Sequence, residues 1–514
     1  MSDVDGSAIE SADTGLPLND QEKLVTAFGY KQELHRTLKF FSLFAVAFSV
    51  VSISTGLFLN FGFAINSFGP ATIWTWPIAC FGQILMALII AEMSTKIPLA
   101  GYAYQWGARL VSSAYGWFVA AFALLYMLIT VGAIALLGIS PLLLNSLGLN
   151  SPSPRLVLGV AVFLLITAIA INLISIRLTS RVNNIAVLTE ICGTFFLAVL
   201  LLVLWSLHSA AGKSPVSILT NHAGTLQGSM IYLFAIGGLL GIYTLVGFEL
   251  SADLSEEALD SQRGVPRGVI YGVAVSAVLG MFALISFSLA IPDLKLVQES
   301  SLPIVTIADH WMPHGLVRVF IFLVAFSMYA LDVVTIAAAG RLVFSLGRDH
   351  MLPMSRHLSK VNHNTKTPIN ALITCGVIMV GFCIWGYLQA NSFGTLIGAT
   401  ALAPYLVYLL ILVAYIVRRK TLTAVKGGFN LGAWGPPIMI VGLVWILTAL
   451  AILILPATFR GADRIVFFGF VLAALWWVFV LRGRIKRGEA GVALYSADSK
   501  AAVQLEKNLE SRPQ

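Results

Sequence analysis

Long apolar stretches separated by short polar segments dominate the chain between residues 40 and 482. Each of twelve such stretches is long enough to cross about 30 Å of hydrocarbon at 1.5 Å per residue. They lack the alternating pattern of a β-barrel, and unpaired backbone groups are costly in lipid, so we expect all of them to be helices. The predicted spans are 40–66, 71–94, 115–143, 155–175, 183–207, 229–250, 267–291, 316–346, 368–389, 393–417, 435–457 and 463–482.

The same pattern divides the chain into a membrane domain and two polar tails. Residues 1–39 and 483–514 are polar and mixed in charge, and residues 40–482 form the predicted twelve-helix domain. The first tail has no short apolar core followed by a small-residue cleavage site, so we expect the first span to stay in the mature chain. The predicted fold class is an all-α integral membrane protein with 12 transmembrane helices.

Composition excludes a soluble globular protein. Of 514 residues, 58% are hydrophobic and 11% are charged, with a mean hydropathy of +0.88. Soluble domains carry about 25% charged residues. The lipid bilayer is therefore the first predicted partner.

Positive charge is concentrated at the span ends. The chain has 32 Lys and Arg against 24 Asp and Glu, and 26 of those 32 fall in the tails and loops on the side of the N-terminus. This asymmetry predicts that both termini are cytoplasmic in a multi-pass protein of the cell membrane. It also explains the basic excess without a nucleic-acid partner.

Two spans are interrupted by small and polar residues at similar depths. The first carries Ser52, Ser54, Thr55 and Gly56, and the sixth carries Tyr243, Thr244, Gly247, Phe248 and Glu249. Matched interruptions indicate broken helices around a midplane transporter site, whose free N–H groups bind anions and whose carbonyls attract cations. A zwitterion suits such a pair. The alternative is that these residues only let helices pack closely.

Four separated segments resemble the amino acid–polyamine–organocation permease superfamily, and within it the branch of GABA, choline and urea-carboxylase-associated permeases. They are GYKQELHRTLKFFSLFAVAFSVVSISTG (29–56), AEMSTKIPLAGYAYQW (91–106), GFELSADLSEEALDSQRGVP (247–266) and RLVFSLGRDHMLP (341–353).

The resemblance implies two inverted five-helix repeats plus two extra helices, with alternating access around the first and sixth helices. One departure is that Ser and Thr surround a single Gly56, where many relatives have a second glycine. Tyr243 takes the place of an aromatic gate over the substrate. The implied substrate contacts are Ser52, Ser54, Thr55, Gly56, Tyr243, Thr244, Val246, Gly247 and Phe248.

Four acidic residues fall inside or at the ends of spans, where a buried charge is costly and is a functional candidate. Glu92 precedes Lys96 by four residues, which favours a structural ion pair. Glu249 follows the sixth-span interruption and either caps it or takes part in gating. The coupling candidates are Glu190, Asp332 and Glu249.

Lysine-coupled relatives have a lysine in the fifth span, and this chain has none there. If Glu190 and Asp332 both approach the first helix, they form a carboxylate site for a proton or sodium ion. The alternative is that each carboxylate pairs with a hydroxyl.

The other polar residues and the cysteines are weaker indicators of a functional site. Tyr126, Thr130 and Tyr329 are candidates for lining the pocket, although aromatic residues in bundles often serve packing. The four cysteines lie in apolar segments without a CxxC pair and are predicted to be buried free thiols. With no HExxH and no phosphate-binding GxxxxGK[ST] motif, we expect no metal, no cofactor and no enzyme activity.

The sequence therefore predicts a secondary active transporter that imports an amino acid or small amine-bearing solute, coupled to a proton or cation gradient. Alternatives are a permease for a guanidine, urea-related or choline-like solute, or an exchanger. A channel would need a continuous polar stripe, and a membrane enzyme would need clustered catalytic groups.

Overall fold

The computed structural model describes residues 18–208, 214–389, 393–422, 425 and 427–493. The predicted tails are thus described only in part. The described residues form helices and turns, and their one β-bridge joins Leu38 to Ala258. Eleven of their helices are long and apolar enough to cross a membrane: Phe40–Phe68, Pro70–Lys96, Ser113–Ser146, Pro154–Ile174, Ile176–Leu207, Ser261–Leu289, His314–Arg348, Ile369–Tyr387, Phe393–Thr421, Gly432–Ile454 and Ala457–Lys486.

The sixth predicted span is the exception. Its apolar helix covers only Met230–Thr244, and a separate short helix follows at Leu250–Asp253. The all-α multi-span fold is thus confirmed, with eleven long helices and one shorter apolar helix in the described residues. The predicted span ended at residue 250 because hydropathy does not detect a change of backbone direction inside an apolar segment.

Two spans begin earlier than predicted because their first turns are polar. The fifth starts at Ile176, where Ser175 accepts a hydrogen bond from the Leu178 N–H. The seventh starts at Ser261, where Asp260 accepts one from the Arg263 N–H. These side chains satisfy N–H groups that have no partner within the helix, so each helix extends beyond its apolar part.

The spans differ in how much of their surface the bundle covers. In the most apolar part of the first span, 83% of the residues are buried, and in that of the tenth span 78% are buried. By contrast, the corresponding share is 22% in the fourth span and 17% in the twelfth. The first and tenth spans therefore belong to the interior, and the fourth and twelfth face outward, where lipid would cover their apolar side chains.

One end of the bundle carries the segment that precedes the first span, and we call this end the N-terminal face. Arg341 Nε lies 2.7 Å from Glu257 Oε1, and both side chains are buried. Arg348 makes two hydrogen bonds to Glu256, at 3.0 and 3.1 Å. The backbone of the N-terminal segment joins this network, because the Leu38 N–H donates to the Glu257 carbonyl.

Tyr30 is held within the same face. Its hydroxyl donates to the Asp349 carboxylate at 2.8 Å, and Arg348 lies 3.6 Å from the centre of its ring. Burial, reinforced by the negative charge of Asp349, raises the pKa of Tyr30 to about 12. The hydroxyl therefore keeps its proton, and remains a donor, throughout the physiological pH range.

Other intramembrane groups agree with the predictions, with one correction. The Glu92–Lys96 ion pair is confirmed at 2.5 Å, and Tyr415 donates to the second Glu92 oxygen. All four cysteines are free, but Cys192 is exposed. The prediction that it is buried was wrong because it lies on an outward side of the fifth span, which hydropathy alone does not distinguish from an inward one.

The buried Arg341–Glu257 pair yields a stability prediction. Arg341→Met should lower the free energy of unfolding by about 3–5 kcal/mol, because it leaves the Glu257 charge buried without its partner. Arg487→Met, in the exposed Arg487–Glu489 pair, should leave the melting temperature unchanged. Thermal unfolding of the purified variants in detergent is the measurement, and equal melting temperatures would contradict the prediction.

Candidate functional site

The first span is interrupted at Ser52. Its first half is Phe40–Val51, its second half begins at Ile53, and Ser52 between them has φ 35° and ψ 89°. A non-glycine residue in the left-handed region is strained and needs support from its surroundings. Here Ser52 Oγ accepts from the Thr55 N–H at 3.3 Å and is 2.7 Å from the Thr55 hydroxyl.

The sixth span is interrupted between Thr244 and Leu250. The helix stops at Thr244. Gly247 has φ 90°, a backbone conformation that residues other than glycine rarely adopt. A Cβ at Gly247 would also collide with the Val50 side chain of the first span. The Gly247 N–H is satisfied by the Tyr408 hydroxyl at 3.1 Å, so the tenth span supports this interruption.

The two interruptions meet. A Cβ at Gly56 would collide with the side chain of Thr244, so only a glycine lets the two helices approach this closely. Gly247 touches the first span from the other direction, at Val50. Residues that the sequence singled out separately in two distant spans are therefore in direct contact at the middle of the bundle.

A cavity of about 30 Å³ lies beside this contact, with room for about two water molecules. Thr130 Oγ1 is buried and has no hydrogen-bond partner among the described residues. Six predicted site residues line the cavity with five that the sequence did not suggest. The lining residues are Val50, Val51, Thr55, Tyr126, Thr130, Ile134, Tyr243, Val246, Gly247, Leu331 and Thr400.

Glu190 reaches the interruption from the fifth span. Its Oε1 accepts from the Ser54 N–H at 2.9 Å and from the Ser52 hydroxyl at 3.1 Å. The carboxylate thus caps the second half of the first span, where the partial positive charge of the helix dipole favours an anion. A second cavity, of about 20 Å³, lies beside Glu190 and is also lined by Ser54 and Thr194.

Glu249 lies in a cage of three tyrosine hydroxyls. Tyr408 donates to Oε2 at 2.6 Å, and Tyr126 and Tyr102 donate to Oε1 at 2.9 and 3.4 Å. Hydrogen bonds of this kind stabilise a buried carboxylate without a basic partner. Tyr126 also lines the first cavity, so one side chain contacts both the cavity and Glu249.

Asp332 is not joined to Glu190 by any hydrogen bond in the described part of the chain. Its Oδ1 is buried there without a hydrogen-bond partner, whereas Glu190 binds the first span. Asp332 lies close enough to Tyr243 and Tyr329 to interact with them electrostatically. The described residues thus show no direct bond between the two acids, and the two-carboxylate site stays a prediction.

The remaining predicted residues have other surroundings. Tyr329 is half-buried, contacts the Thr167 hydroxyl at 2.9 Å and does not line the first cavity. Phe248 stacks on Tyr408 at 5.6 Å. The sequence reasoning missed Tyr102, which holds Glu249, and Tyr408. Tyr405 and Tyr408, three residues apart in an apolar span, were the available signal for a polar helix face.

The comparison with protein families agrees with this geometry. A profile described as amino acid permease matches residues 38–479, which include every residue of the two interruptions and both cavities. The chain belongs to the amino acid permease family. Its relatives are named as permeases and transporters, so the prediction that the protein is a transporter rather than an enzyme is confirmed.

Individual relatives are distant but match over most of their length. The amino-acid permease BAT1 of Arabidopsis thaliana is 25% identical over 84% of this chain and 87% of its own. The uncharacterized amino-acid permease C74.04 of Schizosaccharomyces pombe is 26% identical, covering 92% and 89%. The thiamine transporter thi9 of the same yeast is 24% identical, covering 86% and 81%. The family thus transports amino acids or small organic solutes, and the choline branch is not specifically supported.

The contact between Gly56 and Thr244 yields a prediction. Gly56→Ala should abolish uptake and destabilise the protein by about 1–3 kcal/mol, because the added methyl group forces the two helices apart. Adding Thr244→Gly should restore the melting temperature by making room for that methyl group. Gly381→Ala is the control, since a Cβ there meets no atom within 4 Å. Normal uptake by Gly56→Ala would contradict the prediction.

Proposed function

We propose that this permease is a secondary active transporter that moves a small amine-bearing solute by alternating access around the interrupted first and sixth spans. The observation that carries the proposal is the contact of the two interruptions beside a small cavity. Interrupted helices are tolerated at membrane depth only where the freed backbone lines a cavity or is buried in protein. In transporters such a place is the substrate site.

The size of the cavity supports a mechanism that requires motion. Space for about two water molecules cannot hold an amino acid, so the two interrupted spans must separate before a solute enters. The N-terminal face is closed by the Arg341–Glu257 and Arg348–Glu256 pairs. An end closed in this way supports transport that alternates between open and closed ends.

The polar groups at the site favour binding of an amine over binding of a carboxylate. No Lys, Arg or His is among the described residues that line the cavity. In the first-span interruption, two N–H groups that an anion would use are already occupied, Ser54 by Glu190 and Thr55 by the Ser52 hydroxyl oxygen. Asp332, beside Tyr243, is a buried acid that an ammonium group can neutralise, and tyrosine faces attract cations.

Glu190 is the proposed coupling residue. Its carboxylate holds the interrupted half of the first span, so protonation of Glu190, or a cation bound beside it, weakens these hydrogen bonds and changes the support of Ser52. The adjacent small cavity has room for one water molecule or ion. The coupling ion is a proton or sodium ion, and the N-terminal face is cytoplasmic in a protein of the cell membrane.

A matched pair of solutes tests the function and the amine preference. In proteoliposomes, choline should show saturable uptake. Its apparent affinity should exceed that of glycine betaine, its carboxylate counterpart, by at least about tenfold, because betaine adds a charge for which the cavity has no partner. Alanine and ethylamine form a second pair. A ligand at 100 times its dissociation constant adds about 2.7 kcal/mol of stability, so thermal shifts give independent binding data.

The outcomes separate the two parts of this proposal. Saturable uptake that prefers the carboxylate partner would refute the amine preference and leave the transporter intact. No saturable uptake of any amine or amino acid would refute the transporter. Solute flux that continues down its own gradient, without saturation, would indicate a channel.

The coupling role of Glu190 has its own test. Glu190→Gln keeps an oxygen that accepts from the Ser54 N–H and removes the titratable charge. Accumulation against a gradient should be lost, while solute exchange and the melting temperature are retained. Asp332→Asn should instead weaken solute binding. Wild-type accumulation by Glu190→Gln would refute the role, and a matching loss of stability and transport would indicate a purely structural carboxylate.

A further inference from the structure

We propose that the N-terminal face binds the phosphate headgroup of an anionic phospholipid in a groove between the first and fifth spans. The groove has a volume of about 820 Å³ and is separate from both cavities of the transport site. Its walls are the N-terminal segment, the beginning of the first span and the beginning of the fifth span, and Leu259 and Lys366 complete the lining. Neither the family match nor the relatives assign a ligand to it.

The charge of the groove favours an anion. Two acids, Glu22 and Glu33, are outnumbered by the five Lys and Arg residues of the lining, which therefore has a net positive charge. Basic pockets between transmembrane helices are typical binding places for phospholipid headgroups. The basic residues that line the groove are Arg36, Lys39, Arg177, Arg181 and Lys366.

Arg177 and Arg181 are the residues best placed to bind the phosphate. They lie four positions apart, on the same side of the fifth helix, and both are exposed. Neither makes a hydrogen bond or ion pair with another described residue, so their guanidinium groups retain all their donors. Arginine binds phosphate oxygens through two parallel hydrogen bonds, which makes such a pair a suitable phosphate clamp.

The surface next to the groove identifies the phosphate as part of a lipid. Along the same side of the fifth helix, Arg177 and Arg181 are followed at helical spacing by Ile185 and Leu188, which are 59% and 51% exposed. Phe41, 38% exposed, lines the groove from the first span. The stripe thus passes from charged to apolar, which matches a molecule with a phosphate at one end and hydrocarbon at the other.

The groove lies where a bound lipid would contact both the first and the fifth span. On its floor, the Ser42 hydroxyl oxygen of the first span accepts from Ser180 and Asn184 of the fifth at 3.1 and 3.0 Å. A headgroup held between Lys39 and the two arginines would bridge these same spans. It should therefore stabilise the conformation in which the N-terminal face is closed.

The experiment measures lipid retention by the full-length protein. Nanodiscs contain phosphatidylcholine alone or mixed with phosphatidylglycerol, and the readouts are the melting temperature and the retained lipid in native mass spectrometry. Phosphatidylglycerol should raise the melting temperature of the wild type. Arg177→Gln/Arg181→Gln should weaken its retention about 30-fold, because each basic residue near an anionic surface contributes about 1 kcal/mol.

Two further variants and a soluble ligand make the test specific. Arg356→Gln/Lys360→Gln removes the same charge, at the same spacing, from the same face outside the groove, and should retain phosphatidylglycerol. Arg177→Lys/Arg181→Lys should retain most of the effect. Equal loss in the control variant, or unchanged retention in Arg177→Gln/Arg181→Gln, would overturn the proposal. A shift produced by glycerol phosphate alone would identify a soluble phosphate site instead of a lipid site.

Discussion

The organisation of the site depends on one requirement, that backbone polar groups inside the membrane have partners within the protein. When the first span stops at Ser52, the N–H groups of its second half lose their helical acceptors. Glu190 and the Ser52 hydroxyl oxygen supply acceptors for Ser54 and Thr55. The interruption is therefore supported by a carboxylate from another span.

The sixth span meets the same requirement in a different way. Its interruption uses a glycine in a conformation that other residues rarely adopt, with the Tyr408 hydroxyl as the acceptor for its N–H. The same tyrosine donates to Glu249, which two more tyrosines also contact. One interruption is thus supported by a carboxylate and the other by neutral hydroxyls. A carboxylate lies at each interruption, but Glu190 bonds directly to the interrupted backbone of the first span, whereas Glu249 is held by tyrosine hydroxyls.

The N-terminal face applies the same principle to charged groups. Buried ion pairs such as Arg341–Glu257 contribute little net stability, because desolvation offsets much of the attraction, but they are specific in geometry. A closed end built from such pairs can open if water replaces each lost contact. A packed apolar end would instead lose its full burial energy on opening. Charged pairs therefore suit the proposed alternating access, in which this face closes and opens repeatedly at modest cost.

The sequence by itself determined the chemistry and the approximate place of each element, and the tertiary structure decided which of them meet. Hydropathy located the spans because lipid selects apolar side chains locally, and small polar residues marked the two interruptions because such residues disturb a helix locally. Hydropathy did not show that Cys192 faces outward, or that Asp332 and Glu190 make no hydrogen bond to one another, because these properties depend on helix rotation and packing. The tyrosine cage of Glu249 draws on spans far apart in sequence, so only their packing against one another could bring it together.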